Sequence, residues 1–339
     1  MSGNTKIYKD GELIGFRIKS HSFTKEIITY DLLQKTSFIV KNKGVIIDAN
    51  AGPGINSDIE GNEYYNPTIK LLLQPWNKTP IYFIEKDKEV FDCLNRNIEK
   101  LRNKLGREFT TKVCTYHGDC NELMTDASSD IGKEIISKKI KTIILDPCGW
   151  SDNQLPLSTI EYLRKQENLD IIITFQLEGI RRSLGLKKKL GYETKSLNVS
   201  LPESLLKAVE YLYNSDEKMN SEEIVECYIH LMLEKDWSHI FTRPVLPYYY
   251  LIYCTNYEPY AKYINSILHK YDATTGKIVY KKMIGIGEII KYKNKIGKIT
   301  KVIYPIVDEI DKFVEINKLE NKLNELEDKI AEINSKGGV

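Results

Sequence analysis

The chain has 339 residues, 42% hydrophobic and 28% charged, enough for one large domain with appendages or for two domains. Its 49 basic and 47 acidic residues leave a net charge of +2, so any nucleic-acid surface has to come from local clustering. No run of about 18 apolar residues argues for a membrane span, and Met1–Lys6 lacks the apolar core of a signal peptide.

Residues 6–20 alternate in polarity and predict a short strand or hairpin with Gly11 in its turn. Ser22–Leu33 reads as a helix with Ile27, Ile28, Leu32 and Leu33 on one face. Strand candidates follow at Val45–Asp48, Ile81–Glu85, Thr111–His117, Ile140–Asp146 and Asp170–Phe175. Helical segments separate them at Thr68–Leu73, Lys88–Leu105 and Leu157–Lys165. Buried strands alternating with helices predict an α/β fold with a parallel, doubly wound, Rossmann-like sheet. A helix-rich, charged insertion covers about 202–236. His239–Val245 and Tyr248–Thr255 then predict an antiparallel hairpin at the sheet edge.

Beyond residue 276 the character changes. Eight lysines between Lys277 and Lys301 face one acid, Glu288, with Gly285, Gly287 and Gly297 punctuating β-like runs. Leu319, Leu323, Leu326, Ile330 and Ile333 then repeat at four-three spacing, a heptad seam on a terminal helix. The expected organisation is a sheet domain over 1–275, a small basic β module over 276–305 and a heptad helix over 306–339. The helix is suited to a protein partner, to self-association or to packing back on the body. The six cysteines (Cys93, Cys114, Cys120, Cys148, Cys227 and Cys254) and five histidines have no zinc or disulfide spacing. No metal site is expected; reduced thiols in a cytoplasmic protein are.

Parallel sheets bind ligands beyond the carboxyl ends of their strands, and acidic residues fall there: Asp48, Glu85 and Asp146 at strand ends, Asp119 just past one. This order suits an S-adenosylmethionine site of the class I type. Asp48 and Ala49 with the turn glycines Gly52 and Gly54 would accept the methionine end, since glycine permits close backbone approach and positive φ. Glu85 would grip the ribose hydroxyls, Asp119 with Cys120 the adenine, and Asp146 would face the methyl acceptor. Each has a plainer reading: Asp48 as a turn cap, Glu85 as a lysine partner, Asp119 as a helix N-cap. A dinucleotide oxidoreductase would favour a third glycine, and Ser57 stands three residues after Gly54.

Asp48-Ala49-Asn50-Ala51-Gly52-Pro53-Gly54, Asn66-Pro67, Phe83-Ile84-Glu85, Gly118-Asp119-Cys120-Asn121 and Leu145-Asp146-Pro147-Cys148-Gly149 resemble the motifs of the three-Cys-motif partner proteins. These are bacterial methyltransferase-like proteins encoded beside a separate cysteine-motif protein. The likeness spans about residues 20 to 260, including the helix around Lys25. It departs at Asn50 and Cys148, where that family has Phe, and at Asn66, where it has Ser. The Asp-Pro-x-Gly element is also similar to the fourth motif of tRNA guanine-N2 dimethyltransferases. The resemblance implies that Asp146 and the Pro147 carbonyl accept the hydrogens of an amino group and localise its lone pair. Cys148, Gly149 and Trp150 would line the substrate side, with Trp150 a stacking surface or core filler.

Tyr280, Tyr292 and Tyr304 interleave with the basic module, and Arg181-Arg182 and Lys187-Lys188-Lys189 follow the fifth strand. These clusters suit either phosphate contacts or a solvated surface. The expectation is a methyltransferase acting on an amino group, of a nucleic-acid base. The alternatives are a catalytically silent recognition or scaffold subunit of a multi-protein system, such as phage defence, and an NAD-linked enzyme.

Overall fold

A computed structural model of the chain describes residues 5–18, 20–40, 43–58, 60–106, 109–137, 139–147, 157–176, 237–245, 249–257, 264, 267, 289–292 and 295–298. The insertion at 202–236, the basic clusters at 181–189, Cys148–Trp150, most of 276–305 and the heptad segment lie outside the described residues.

The chain opens with the expected hairpin, β1 (Thr5–Lys9) and β2 (Glu12–Arg17). Asp10 and Gly11 turn it with φ of +51° and +82°, the positive-φ pair that a tight hairpin turn needs. Helix α1 (Ser20–Val40) leads into β3 (Gly44–Asp48). The turn after β3 runs into two short strands, β4 (Ile55–Ser57) and β5 (Glu63–Tyr65). These pair with the hairpin in a separate four-stranded sheet, ordered β1-β2-β4-β5. Then follow α2 (Pro67–Leu72), β6 (Ile81–Glu85), α3 (Lys88–Leu105), β7 (Val113–His117), α4 (Cys120–Thr125), α5 (Asp130–Ile136), β8 (Ile140–Leu145), α6 (Leu157–Leu163) and β9 (Leu169–Phe175). The strands β10 (His239–Val245), β11 (Tyr249–Thr255), β12 (Ile289–Tyr292) and β13 (Lys295–Lys298) complete the described elements.

The main sheet runs β13-β12-β10-β11-β9-β8-β3-β6-β7. Strands β7, β6, β3, β8 and β9 are parallel, and β11 and β10 antiparallel. This is a doubly wound, Rossmann-like sheet with an antiparallel edge. Its direction of winding reverses at β3, so the crevice at the carboxyl ends of β3 and β8 is the place where such a sheet leaves room for a ligand. The described strands of the basic stretch continue the sheet, because β12 pairs with β10 in the register Ile240↔Lys291 and Phe241↔Ile290.

Both sheet faces are covered, and side-chain alternation divides the core in two. Val45, Ile47, Ile143, Leu145, Ile171 and Ile173 face α4, α5 and α6, packing with Met124, Ile131, Ile135 and Ile160. Ile46, Ile144 and Ile172 face the other way, packing with Ile28, Leu32 and Leu33 of α1, Ile69 of α2 and Leu94 of α3. Helix α1 runs seven residues beyond Leu33, through a stretch of β-branched and polar residues. There the burial of Thr36, Ser37 and Val40 and the Ser37 Oγ–Asn77 Oδ1 bond of 2.5 Å override weak helix propensity. Among the described residues no helix is long and apolar enough to cross a membrane.

Candidate active site

A cavity of about 330 Å³ lies at the carboxyl ends of β3, β6, β7 and β8. Asp48, Ala49, Gly52, Glu85, Asp119, Cys120, Asp146 and Pro147 all line it. Carboxylates spaced over about a hundred residues of sequence therefore meet in one space. Parallel register explains the convergence: Asp48 lies beside Phe83 on β6 and Ile144 on β8, and Glu85 beside His117 on β7. The four chain exits thus open side by side.

The turn after β3 is pinned on both flanks. Ala49 N–H donates to the Ile144 carbonyl and Ala51 N–H to the Ile84 carbonyl, each at 3.0 Å. Gly52 then turns with φ of +60°, and a Cβ placed on it would meet only a Phe16 ring carbon, at 3.8 Å. Its bare face is open to the cavity. Gly54 does different work. It does not line the cavity, its φ is +74°, and a Cβ there would press on Ile69 and Leu94 at 3.0 Å, so it allows α2 and α3 to pack close.

Asp48 is 6% exposed and receives the Thr68 hydroxyl at 2.6 Å. Thr68 opens α2 beside Asn66, whose Oδ1 caps that helix at Ile69 N–H and whose amide donates to the Ala51 carbonyl at 3.0 Å. Asp48 is thereby tied to the start of α2 while also accepting the Asn50 N–H of its own turn. Burial pushes its pKa up to about 6, with the neighbouring Asp146 and Glu85 charges adding to the rise and Thr68 opposing it.

Among the described residues Glu85 pairs with no lysine. One of its oxygens accepts Gly52 N–H at 3.0 Å and the other Asp87 N–H at 2.8 Å. Burial raises its pKa, and those backbone donors offset part of the rise. Asp119 is the N-cap of α4, with Oδ1 accepting the backbone and side-chain N–H groups of Asn121 at 2.8 and 3.0 Å. Its Oδ2 pairs with Lys86 at 2.7 Å. Burial works to raise the Asp119 pKa, but Lys86 and Asn121 outweigh it and hold it below the usual value. Cys120 is buried and its thiol is pushed up to about 12, first by burial and then by the Asp119 charge; it is not a nucleophile at neutral pH.

The fourth strand end is built differently. Asp146 Oδ2 meets Lys25 Nζ of α1 at 2.5 Å, and Asp146 N–H donates to Asn50 Oδ1 at 3.1 Å. The Pro147 carbonyl accepts the side-chain amide of Gln176. Burial works against the Lys25 charge, yet Asp146, Tyr249 and Glu26 together hold its pKa above the ordinary lysine value. The substrate-side residues Cys148, Gly149 and Trp150 lie outside the described residues.

Sequence reasoning missed the roof of the cavity. Ser22, Lys25, Glu26 and Thr29 of α1 line it, at the i, i+3, i+4, i+7 spacing that places residues on one helix face. The signal was present as polar residues at that spacing on the helix that also carries Ile28, Leu32 and Leu33. Asn56 of β4 joins it, donating to Glu26 Oε1 at 3.4 Å. Lys6 of β1 closes the far rim through Asp87 at 3.1 Å and Glu89 at 2.7 Å.

No family model matches the sequence, and no curated protein is recognisably similar to it. Solved structures with a related fold include a Legionella pneumophila protein, with 10% identity over 70% of this chain and 85% of that one, at a TM-score of 0.38. A SAM-dependent methyltransferase from Aquifex aeolicus shares 13% identity over 70% and 98%, at 0.34. An rRNA methylase from Streptococcus thermophilus shares 12% identity over 70% and 98%, at 0.32. All three are remote likenesses.

Proposed function

We propose that the chain binds S-adenosylmethionine and transfers its methyl group to an amino nitrogen, most suitably that of a nucleic-acid base. The observation that carries this reading is the meeting of Asp48, Glu85, Asp119 and Asp146 around one cavity with an open glycine turn. The donor set fits the cofactor. A carboxylate offers about four acceptor positions, so Glu85 can take ribose hydroxyls while keeping its two backbone donors. Asp119 retains an acceptor position on Oδ2 toward the adenine side, beside Cys120. Gly52 presents bare backbone where a methionine tail would lie.

When bound, the cofactor supplies a methyl group activated on a sulfonium. The chain's residues hold the acceptor in line with it, and positioning accounts for much of the rate of such a displacement. Asp146 and the Pro147 carbonyl already receive N–H donors, from Lys25 and Gln176. An incoming amino group presents the same kind of donor. Exchanging for those internal donors would leave its lone pair directed at the methyl carbon, with Asp146 able to take the proton released.

The internal bonds also favour a second reading. With both acceptors satisfied by the chain itself, the same body serves as a silent recognition subunit, in keeping with the resemblance to three-Cys-motif partner proteins. Calorimetry separates the two. The catalytic reading expects S-adenosylmethionine to bind the wild type and Glu85→Ala to weaken it by about ten- to a hundredfold. No heat of binding in the wild type would end it. The Lys277–Lys301 stretch is proposed to contact phosphates, and the heptad segment a protein partner or a second copy. Replacing Lys291, Lys293 and Lys295 with Gln is expected to weaken nucleic-acid affinity and flatten its dependence on salt; an unchanged slope would remove that role.

A further inference from the structure

Two buried oxygens in the cavity roof have no hydrogen-bond partner among the described residues: Glu26 Oε2 and Asn56 Oδ1. Glu26 is 6% and Asn56 8% exposed, and both line the cavity. They come from different elements, α1 and β4, and touch through the single Asn56 Nδ2–Glu26 Oε1 bond of 3.4 Å. That bond uses Asn56's donor and leaves two unpartnered acceptors on neighbouring residues of the same cavity lining. Burying such atoms without partners is costly, so they mark a place for a ligand that donates hydrogen.

The surrounding charge says what kind. The Asp146 charge acts on both Glu26 and Asp48, and among the described residues Lys25 is the ammonium paired with Asp146. Lys70 acts on Glu26 only through space. The inner end of the cavity therefore carries excess negative charge. A water molecule could donate to both oxygens but would bring no charge. A primary ammonium brings three donors and one positive charge.

We infer that Glu26 and Asn56 receive the α-ammonium group of the cofactor's methionine tail. This rests on the reading of the cavity as an S-adenosylmethionine site. With adenine toward Asp119 just past β7 and ribose at Glu85 on β6, the tail runs toward β3, and Asn56 stands two residues after Gly54. Backbone turns commonly hold such a tail by peptide groups alone. Here a buried carboxylate on the preceding helix adds a charge-selective contact, which favours a ligand carrying both sulfonium and ammonium.

The test is calorimetric and needs no turnover. S-adenosylmethionine and methylthioadenosine, which keeps adenine and ribose but lacks the amino-acid tail, are titrated into the wild type, Glu26→Gln and Asn56→Ala. Glu26→Gln is expected to weaken S-adenosylmethionine by about ten- to a hundredfold, Asn56→Ala by about threefold to tenfold, and neither to change methylthioadenosine by more than about twofold. If both ligands weaken equally, the pair is structural and the inference is overturned. If both variants bind S-adenosylmethionine like the wild type, it is overturned while the cofactor reading stands. If the wild type binds neither ligand, the cofactor reading falls and takes this inference with it.

Discussion

The two ends of the cavity solve the same problem, holding carboxylates out of bulk water, in opposite ways. At the outer end Glu85 and Asp119 are supplied with donors before any ligand arrives: backbone N–H groups of Gly52 and Asp87 for one, Asn121 and the exposed Lys86 for the other. At the inner end the Asp146 charge acts on both Glu26 and Asp48, and Lys25 of α1 pairs with Asp146. The outer end is shaped by hydrogen bonding and is electrostatically relaxed. Burial and mutual repulsion leave the inner end short of positive charge. A preorganised outer end suits a neutral nucleoside, and an undercompensated inner end suits a cation, so one molecule with both parts would be oriented end to end.

The comparison breaks most sharply at Asp146. If it faces the acceptor, Asp146→Ala should abolish methyl transfer, by about a thousandfold or more, while cofactor affinity changes little. Equal loss of binding and transfer would make Asp146 a structural partner of Lys25 and erase the functional difference between the ends. Lys25→Met probes the charge balance itself. It strips the inner end of its contacting cation, and with Asp146 about a third exposed the expected loss of unfolding free energy is about 1–3 kcal/mol, read by denaturant titration. The same substitution at Lys86, 66% exposed, is expected to cost less than about 1 kcal/mol. Equal losses at the two positions would show that the ends do not differ.

The outer end was readable from the sequence and the inner end was not, for a physical reason. Glu85 and Asp119 act next to the strands that carry them, so an apolar run ending in an acid announces both strand and position. Asp48 and Asp146 are announced the same way, but their partners are not: Thr68 sits twenty residues on, and Lys25 more than a hundred residues back. The stripe Ser22-Lys25-Glu26-Thr29 acquires meaning only when α1 is laid across the strand ends. Strands β4 and β5, three residues each, are too short to show alternation, so the small sheet that brings Asn56 to Glu26 had no sequence signal. Gly54 looked equivalent to Gly52 in the motif, and only packing distinguishes the one that faces Ile69 and Leu94 from the one that faces the cavity.

The effect most specific to the inner end is a stability that falls as pH rises toward neutrality. Burial pushes Glu26 up to about 7 from 4.5, against the opposing charges of Lys25 and Lys70 and with Asp146 adding to the rise. Asp48 is pushed up to about 6 from 3.8, with Asp146 and Glu85 adding and Thr68 opposing. In both, the folded state holds its proton more tightly than the unfolded chain. Their contribution is therefore fully present below the unfolded values and is lost as pH rises through the folded ones, between about pH 4 and about pH 7. The slope is roughly 1.4 kcal/mol per pH unit for each carboxylate protonated in the fold and ionised in the unfolded chain. Asp170, buried on β9 beside Tyr253 and pushed up to about 7 by burial, titrates in the same window away from the cavity, and burial raises Glu85 as well, so the wild-type slope is shared with both. Measuring urea unfolding across this range for Glu26→Gln, Asp48→Asn and Asp170→Asn separates them. Glu26→Gln and Asp48→Asn should each flatten the profile in the absence of ligand, and saturating S-adenosylmethionine should reduce the Glu26 share by favouring its ionised form. A profile unchanged by Glu26→Gln would mean that the inner end is already balanced, and the contrast between the two ends would be lost.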